Sequence, residues 1–292
     1  MNALRTSVKA IGLADPEAAI SVHAVLGSDA ALLAHAGELP ATRSGVAAWV
    51  KSTLLNAENP LFGLSEHAVA AKLGEEPDET VHKVLRLLTA RPRAVDDLAA
   101  MSDVAETDLG PLLEHLAGAG LVRTEPDPLR PEHPFWAVED RLARFYYAIL
   151  GEHLPRWRRG LITDKLWRMS HARFDRYVCR AEFLRLAREW ALGDPAAASA
   201  TRIVVPDPRH RQLRTVEVAV WDAAGGLVAL GTARWAFRMR LQQLQRLKYV
   251  RRLLGDPPAR LYCIAPSVDA GIAADEDPDV FRIGPAHLLR GD

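Results

Sequence analysis

The sequence is poor in cysteine and has no long hydrophobic run, and both shortages restrict the classes of protein it can represent. Among 292 residues the two cysteines, Cys179 and Cys263, form neither a disulfide framework nor a zinc-binding pattern. A reducing compartment, the cytoplasm, is therefore expected. No apolar run approaches the roughly 20 residues that span a bilayer. The first six residues lack the layout of a signal peptide, so we expect no membrane partner.

The motifs of several enzyme classes are missing as well. There is no Gly-x-x-x-x-Gly-Lys-Ser/Thr loop to cradle phosphates, and the sequence before residue 16 is too short for an ATPase core. There is no Gly-x-Ser-x-Gly elbow and no His-Glu-x-x-His pair, and the ten histidines are scattered. We expect no ATP hydrolysis by the usual loop, no cofactor and no metal ion, and the sequence identifies no catalytic residue.

The net charge is zero, but the two halves of the chain have opposite charges. Residues 1–140 contain 11 Lys/Arg and 21 Asp/Glu, whereas residues 141–292 contain 26 Lys/Arg and 16 Asp/Glu. Such asymmetry indicates that the basic half binds nucleic acid or another acidic partner. Alternatively, the two halves neutralise each other by docking, and the composition does not decide between these explanations.

The N-terminal part is predicted to be helical. Asp15 and Asp78 precede apolar periodic segments, as helix N-caps do. Residues 64–125 contain a helix, a short helix, a turn and another helix, and a strand is predicted over Leu121–Thr124. This order is typical of a helix-turn-helix with a wing.

The outer face of the last helix in this segment argues against sequence reading of DNA. A recognition helix needs Arg, Lys, Asn or Gln to reach base edges. This helix presents Asp108 and Glu114, which repel DNA, and Arg123 near the wing is the closest candidate cation. A structural or protein-docking winged helix is the favoured interpretation.

Cations and aromatic residues alternate between residues 153 and 193, after a proline-rich connection at 126–135. Arg156, Arg158 and Arg159 lie next to Trp157 in this region. Cations beside stackable rings suit a nucleic-acid backbone and unstacked bases. The alternative, a helix pair that packs its aromatic rings inward, is slightly favoured.

Residues 213–254 predict a β-hairpin followed by a long helix. The apolar runs Leu213–Trp221 and Leu227–Trp235 flank an Asp/Gly-rich turn, and helical spacing extends from Phe237 to Leu254. No acidic residue lies between Arg234 and Arg252. The candidate nucleic-acid-binding residues here are Arg234, Arg238, Arg240, Arg246, Lys248, Arg251 and Arg252. Release of counterions from phosphates would give them salt-dependent, largely sequence-independent affinity.

This strand–turn–strand–helix unit resembles the core of PD-(D/E)XK nucleases. In that family the first strand carries a metal-binding Asp, and the second carries a Glu and a Lys in a phrase like Gly-Glu-x-Lys-Trp. Ala219 occupies the Asp position, Thr232 the Glu position and Arg234 the Lys position. The framing residues are kept: Glu217, Gly231 and Trp235. Because two-metal hydrolysis needs carboxylates to hold Mg²⁺, the resemblance implies a nuclease-like domain without its chemistry.

A second resemblance covers roughly residues 16–290. The segment Phe135–Tyr147 is similar to a phrase, Tyr-x-Ile-x-Asp-Pro-x-Leu-Arg-Phe-Trp-Tyr, of archaeal-type AAA ATPases. Members of that family end with a lid, a winged helix and a nuclease-like domain, and Val25–Ala30 and Asn59–Phe62 resemble the lid and the approach to the winged helix. The resemblance implies a relative of these ATPases that lacks the ATPase core.

These observations predict an α+β chain, mostly helical, in which N-terminal helices and a winged helix precede an α/β nuclease-like domain with a central mixed sheet. The expected domains are a lid-like segment (1–60), the winged helix (61–130) and the nuclease-like domain (131–292). The leading functional hypothesis is a DNA-associated binding or regulatory protein without catalysis. A protein-interaction module, with a protein partner or a second copy of the chain, is the alternative, and an active nuclease with relocated ligands ranks third.

Overall fold

A computed structural model describes residues 3–290, and their contacts divide the chain into two compact units. The helical unit comprises residues 7–125 and 133–181, and the sheet unit comprises residues 3–6, 126–132 and 182–290. The structure confirms the α+β class with mostly helical content. The three-part division with borders at residues 60 and 130 stays a prediction. Among residues 3–290, no helix combines the length and apolar composition needed to cross a bilayer.

Short helices, two π-helical turns and one small sheet form the helical unit. Its helices are α1 (Ala3–Lys9), α2 (Pro16–Leu26), α3 (Ala30–Leu33), α4 (Val46–Ser52), α5 (Pro60–Glu66), α6 (Ala68–Leu73), α7 (Glu79–Ala90), α8 (Val95–Ser102), α9 (Glu106–Gly118), α10 (Arg141–Phe145), α11 (Leu154–Arg158) and α12 (Asp164–Arg173). The first helix, α1, has its first residues in the sheet unit and its last in the helical unit. The π-helical turns are Tyr146–Leu150 and Phe174–Cys179. Strands β1 (Val122–Glu125) and β2 (Phe135–Val138) pair antiparallel.

Helix N-caps and one apolar core stabilise the helical unit. The carboxylate of Asp15 accepts hydrogen bonds from the amides of Glu17 and Ala18, and Asp78 accepts from Val81, which confirms both predicted N-caps. Helices α7, α8 and α9 with the small sheet bury a common cluster of side chains. It includes Val84, Leu85, Leu98, Leu109, Leu113, Leu116, Leu121 and Trp136. The assignment of these elements to a winged helix stays a prediction.

The sheet unit is a five-stranded mixed sheet with strand order β3-β4-β5-β6-β7. The first two pairs are antiparallel and the last two are parallel. The elements are α13 (Arg180–Ala191, which begins in the helical unit), β3 (Ser199–Asp207), β4 (Gln212–Trp221), β5 (Leu227–Ala233), α14 (Leu241–Leu253), β6 (Arg260–Ile264), α15 (Ala270–Ala273), β7 (Val280–Ile283) and α16 (Pro285–Arg290). Leu244, Leu247 and Val250 of α14 cover Leu230 and Leu261 of the sheet.

One detail of the sheet unit contradicts the sequence-based prediction, and a second was not predicted. The predicted helix from Phe237 is wrong at its start, because α14 begins at Leu241 and Phe237 is 72% exposed. Ala236 has a φ of 66°, a left-handed conformation that interrupts a helix. The segment 126–132 belongs to this unit, where the buried Asp127 carboxylate accepts hydrogen bonds from the amides of Leu129 and Val204 at 3.1 and 3.2 Å.

Candidate nucleic-acid interface

A narrow cleft lies where β4, β5 and α14 meet, at the positions that the nuclease resemblance singles out. Its volume is about 20 Å³, room for about one water molecule. Polar residues of the two strands and the helix line it. They are Thr215, Glu217, Thr232, Arg234, Gln243 and Arg246. The cleft therefore brings together the framing residue Glu217 and the substituted positions Thr232 and Arg234.

Ala219, expected at the metal-binding Asp position, lies outside this cleft. It is fully buried in the core, opposite Leu230 in the strand register. The β3–β4 register changes between Thr201 and Ile203, so that β4 contains one extra residue there. Such a bulge re-aims side chains, and it accounts for Glu217 lining the cleft in place of Ala219. Sequence reasoning had treated Glu217 as a framing residue, because alternation alone gives no sign of a bulge.

The cleft offers poor chemistry for a divalent cation. Of the described residues that line it, Glu217 alone carries a carboxylate. The guanidinium of Arg234 lies 3.8 Å from that carboxylate and competes with a metal ion for it. Thr232 is 8% exposed and supplies only a hydroxyl. Because Mg²⁺ is usually held by carboxylates and phosphates, this set of donors does not favour it.

Gly231 allows the close packing of the strand that carries Thr232. An added Cβ would lie 3.0 Å from Val218 Cβ and 3.3 Å from Tyr262 Cβ. We expect Gly231→Ala to lower the free energy of unfolding by about 1–3 kcal/mol, measured by urea denaturation. The control is Gly284→Ala, where the nearest atom would be 3.4 Å away, an ordinary contact. Equal stability of the two variants would contradict the packing argument.

Exposed arginines lie along α14 and in the residues just before it. Arg238, Arg240, Arg246 and Arg252 are all exposed. Arg246 and Arg252 are six residues apart, about 9 Å along the helix axis. A duplex carries one phosphate charge for each ~1.7 Å of axis, so neighbouring phosphates lie within this span. These four candidates form, with two further arginines described below, the basic surface of the sheet unit.

Two candidates on the same helix are neutralised by acidic groups. Lys248 lies 3.1 Å from Asp275 and 3.0 Å from Asp277. Arg251 lies 3.3 Å from Asp256 and 3.2 Å from Asp279. These partners hold the pKa of Lys248 above its ordinary value even though burial lowers it, so the ammonium stays charged but engaged. Lys248 and Arg251 thus face an acidic loop, which makes them unsuitable as phosphate ligands.

The turn between β3 and β4 contributes residues that sequence reasoning missed. Arg209 and Arg211 are exposed there and complete the basic surface. The hydroxyl of Tyr249 donates to the buried Asp207 carboxylate at 3.0 Å, which ties this turn to α14. The guanidinium of Arg252 lies 5.7 Å from the ring centre of Tyr249. The run Pro-Arg-His-Arg at 208–211 was the available signal, but its closeness to α14 depends on the fold.

Asp207 organises this end of the sheet unit. Its carboxylate accepts from Arg214 Nε at 2.9 Å and lies 2.9 Å from His210 Nδ1. The guanidinium of Arg214 also lies 5.6 Å from the ring centre of Tyr249. This ring therefore contacts two guanidinium groups, those of Arg214 and Arg252. Burial raises the pKa of Asp207, but the bonds from Arg214, His210 and Tyr249 outweigh it and hold the pKa far below its ordinary value.

The remaining candidate cations belong to the helical unit. Arg123 is paired with Glu125 and Glu139, and Arg158 is paired with Glu66. Arg156 and Arg159 are exposed. Tyr177 is half-buried, whereas the aromatic rings between residues 156 and 176 are buried, which favours the inward-packing alternative over stacking with bases. They are Trp157, Trp167 and Phe174.

Comparison with known proteins gives no family for the chain. No protein-family model matches it, and no curated protein matches it. Among solved structures, the crystal structure of protein VC1899 from Vibrio cholerae aligns with 15% sequence identity and a TM-score of 0.31. The alignment covers 78% of this chain and 51% of that one, so this chain spans about half the length of VC1899. At this TM-score the similarity establishes neither a shared fold nor a shared function.

Proposed function

We propose that the protein is a cytoplasmic, DNA-associated binding protein whose nuclease-like domain has kept a basic surface and lost its metal chemistry. The observation that carries the proposal is the basic surface of the sheet unit. It consists of Arg209, Arg211, Arg238, Arg240, Arg246 and Arg252, all exposed. Within residues 3–290, none of these six arginines forms an ion pair with a carboxylate. Arginines available to solvent are the groups that contact phosphates.

The order of elements supports the nuclease-like part of this proposal. Helix α13 precedes β3, β4 and β5, and α14 then leads to β6 in parallel with β5. The resemblance to PD-(D/E)XK nucleases implies such an order. A single cleft carboxylate beside a guanidinium supports binding without hydrolysis. The two cysteines, buried and not bonded to each other, are compatible with a reducing cytoplasm.

Fluorescence anisotropy with labelled duplex and single-stranded DNA, across a salt series, tests the proposal. We expect micromolar affinity at low salt, falling with a log–log slope of about −4 if four or five phosphates are neutralised. An RNA probe of equal length measures the preference for DNA. No binding at low salt would overturn the proposal.

The same samples with Mg²⁺ or Mn²⁺ test the absence of catalysis. We expect intact DNA, because Glu217 is the lone carboxylate among the described cleft residues and Arg234 lies against it. Metal-dependent cleavage products would instead support an active nuclease with relocated ligands. Chelator-treated protein is the control for contaminating metal.

A protein-interaction module is the second candidate function, and one feature of the helical unit favours it. Leu161 and Met169 are 50% and 60% exposed and line a groove of about 270 Å³. Arg156 and Lys165 also line this groove. An apolar floor with cationic neighbours suits an acidic, apolar segment of a protein. Loss of DNA binding at all salt concentrations would move the assignment to this function.

A further inference from the structure

A cavity of about 410 Å³ lies within the helical unit and has no part in the function proposed above. Helix α7 forms one wall, and the two π-helical turns, Tyr146–Leu150 and Phe174–Cys179, contribute the others. The volume is within the range of about 300–1,000 Å³ that is typical of small-ligand sites. π-Helical turns within α-helical segments are frequent at functional sites, and here two of them contribute to one cavity.

Three tyrosines give this tyrosine cavity its aromatic lining. Tyr146 and Tyr147 lie edge to face with ring centres 5.0 Å apart, and Tyr177 comes from the second π-helical turn. Tyr147 is fixed by His82, whose Nδ1 lies 2.8 Å from the phenol oxygen. Burial raises the pKa of Tyr146 and of Tyr147, so both phenols stay neutral. The cavity thus offers the partly exposed rings of Tyr146 and Tyr177, with hydroxyl groups at their edges.

Two arginines line the cavity, each paired with a carboxylate. Arg173 donates from Nε to the carbonyl of Ala148 at 2.8 Å and pairs with Glu152. Its guanidinium is therefore held in place at the wall. Arg86 is 58% exposed and pairs with Glu79 at 3.3 Å. Such an exposed pair contributes little, so an anionic ligand can replace Glu79 as the partner of Arg86.

Thr89 adds an unsatisfied polar group to the same wall. This residue lines the cavity and is 8% exposed. Within the described chain its hydroxyl has no hydrogen-bond partner. Buried hydroxyl groups are normally satisfied by protein groups or by ordered water, so this position can hold a water molecule or a polar ligand group.

We propose that the tyrosine cavity binds a nucleotide, with the base against the tyrosine rings and the phosphate at Arg86 and Arg173. Flat rings match a base, and a phosphate can replace Glu79 as the partner of the exposed Arg86, beside Arg173. The nucleotide is either free or the phosphorylated end of a strand. The proposal does not rest on the basic surface, since all the residues involved belong to the helical unit.

Isothermal titration calorimetry with the full chain tests the free-nucleotide source, with the four ribonucleoside monophosphates as probes. At least one is expected to bind with micromolar Kd, and its nucleoside and inorganic phosphate to bind at least about 10-fold more weakly, because each supplies half of the contacts. Arg86→Ala should weaken binding at least about 5-fold, and Tyr177→Ala about 10-fold. Lys83→Ala is the matched control on α7, since Lys83 pairs with Asp103 and does not line the cavity.

A 5′-phosphorylated trinucleotide forms the second arm and is titrated into Arg246→Glu/Arg252→Glu protein, in which binding by the basic surface is weakened. Binding of monophosphates that depends on Arg86 supports a free nucleotide. Arg86-dependent binding of the trinucleotide alone supports a strand end. If neither probe binds at about 1 mM, or if Arg86→Ala and Tyr177→Ala leave binding unchanged in both arms, the proposal fails.

Discussion

Replacement of Asp207 by Asn is expected to lower the Tm at pH 7 by about 5 °C or more. The Asp207 side chain is buried, and it accepts from Arg214 and Tyr249 at 2.9 and 3.0 Å. An amide keeps the size of the side chain but removes the charge. It also replaces one acceptor oxygen with a donor that faces other donors. Removal of one partner from a buried charged network leaves the other polar groups unsatisfied, which is strongly destabilising.

The decrease in Tm caused by Asp207→Asn should become smaller at low pH. Donors hold the pKa of Asp207 far below its ordinary value in the folded protein, despite burial, which raises it. A lowered folded-state pKa stabilises the protein above the unfolded-state pKa, about 3.9. This contribution is lost as the pH falls below that value. The Tm difference between wild type and Asp207→Asn should therefore shrink as the pH falls from about 5 to 3.

Differential scanning calorimetry between pH 7 and pH 3 measures both effects. Glu276→Gln is the matched control, because it removes one carboxylate charge from an exposed position in the same unit. We expect its Tm to stay within about 1 °C of wild type. A Tm difference for Asp207→Asn that grows as the pH falls from about 5 to 3 would contradict the assigned ionisation state of Asp207.

Signals that act over two or three residues allowed the local structure to be predicted. The caps at Asp15 and Asp78 depend on bonds to amides no more than three residues away. The hairpin was predicted from its turn composition, and its strands β4 and β5 do pair antiparallel. The start of α14 was misplaced because Met239, which lies between Phe237 and Leu241 of the predicted pattern, pairs with Ser267 and Asp269 through its backbone. That contact spans about 30 residues, so periodicity carried no sign of it.

At the candidate site, too, the residue types could be predicted from the sequence, but the partners of those residues could not. From the sequence, the helix that became α14 was the strongest basic stripe of the chain. The sequence could not separate Arg246 and Arg252 from Lys248, because the carboxylate partners of Lys248 lie 27 and 29 positions further along the chain. Likewise the bulge in β4, which explains why Glu217 lines the cleft in place of Ala219, depends on pairing with β3. Whether a cation is already paired, and which way a side chain points, depend on the tertiary structure, whereas the charge of a residue can be read from the sequence.

Reversal of charge at Arg246 and Arg252 is expected to weaken DNA binding at low salt by about 30-fold or more. Both side chains are exposed on α14, so the change alters the surface and leaves the buried face of Leu244, Leu247 and Val250 intact. Each lost phosphate contact reduces the salt slope by about one, and the new carboxylates add repulsion. Anisotropy across the salt series should therefore show a slope that is smaller by about two.

Two matched variants decide whether the basic surface or the total charge is responsible. Lys9→Glu/Arg91→Glu makes the same change in net charge at exposed positions of the helical unit, and we expect affinity within about 2-fold of wild type. Lys248→Ala/Arg251→Ala removes two cations of α14 that acidic partners already neutralise, and should have as small an effect on affinity. Equal weakening by all three pairs would mean that long-range charge drives binding. Unchanged affinity in Arg246→Glu/Arg252→Glu would exclude this face of α14 as the interface, because a phosphate backbone cannot lie against two carboxylates without loss of affinity.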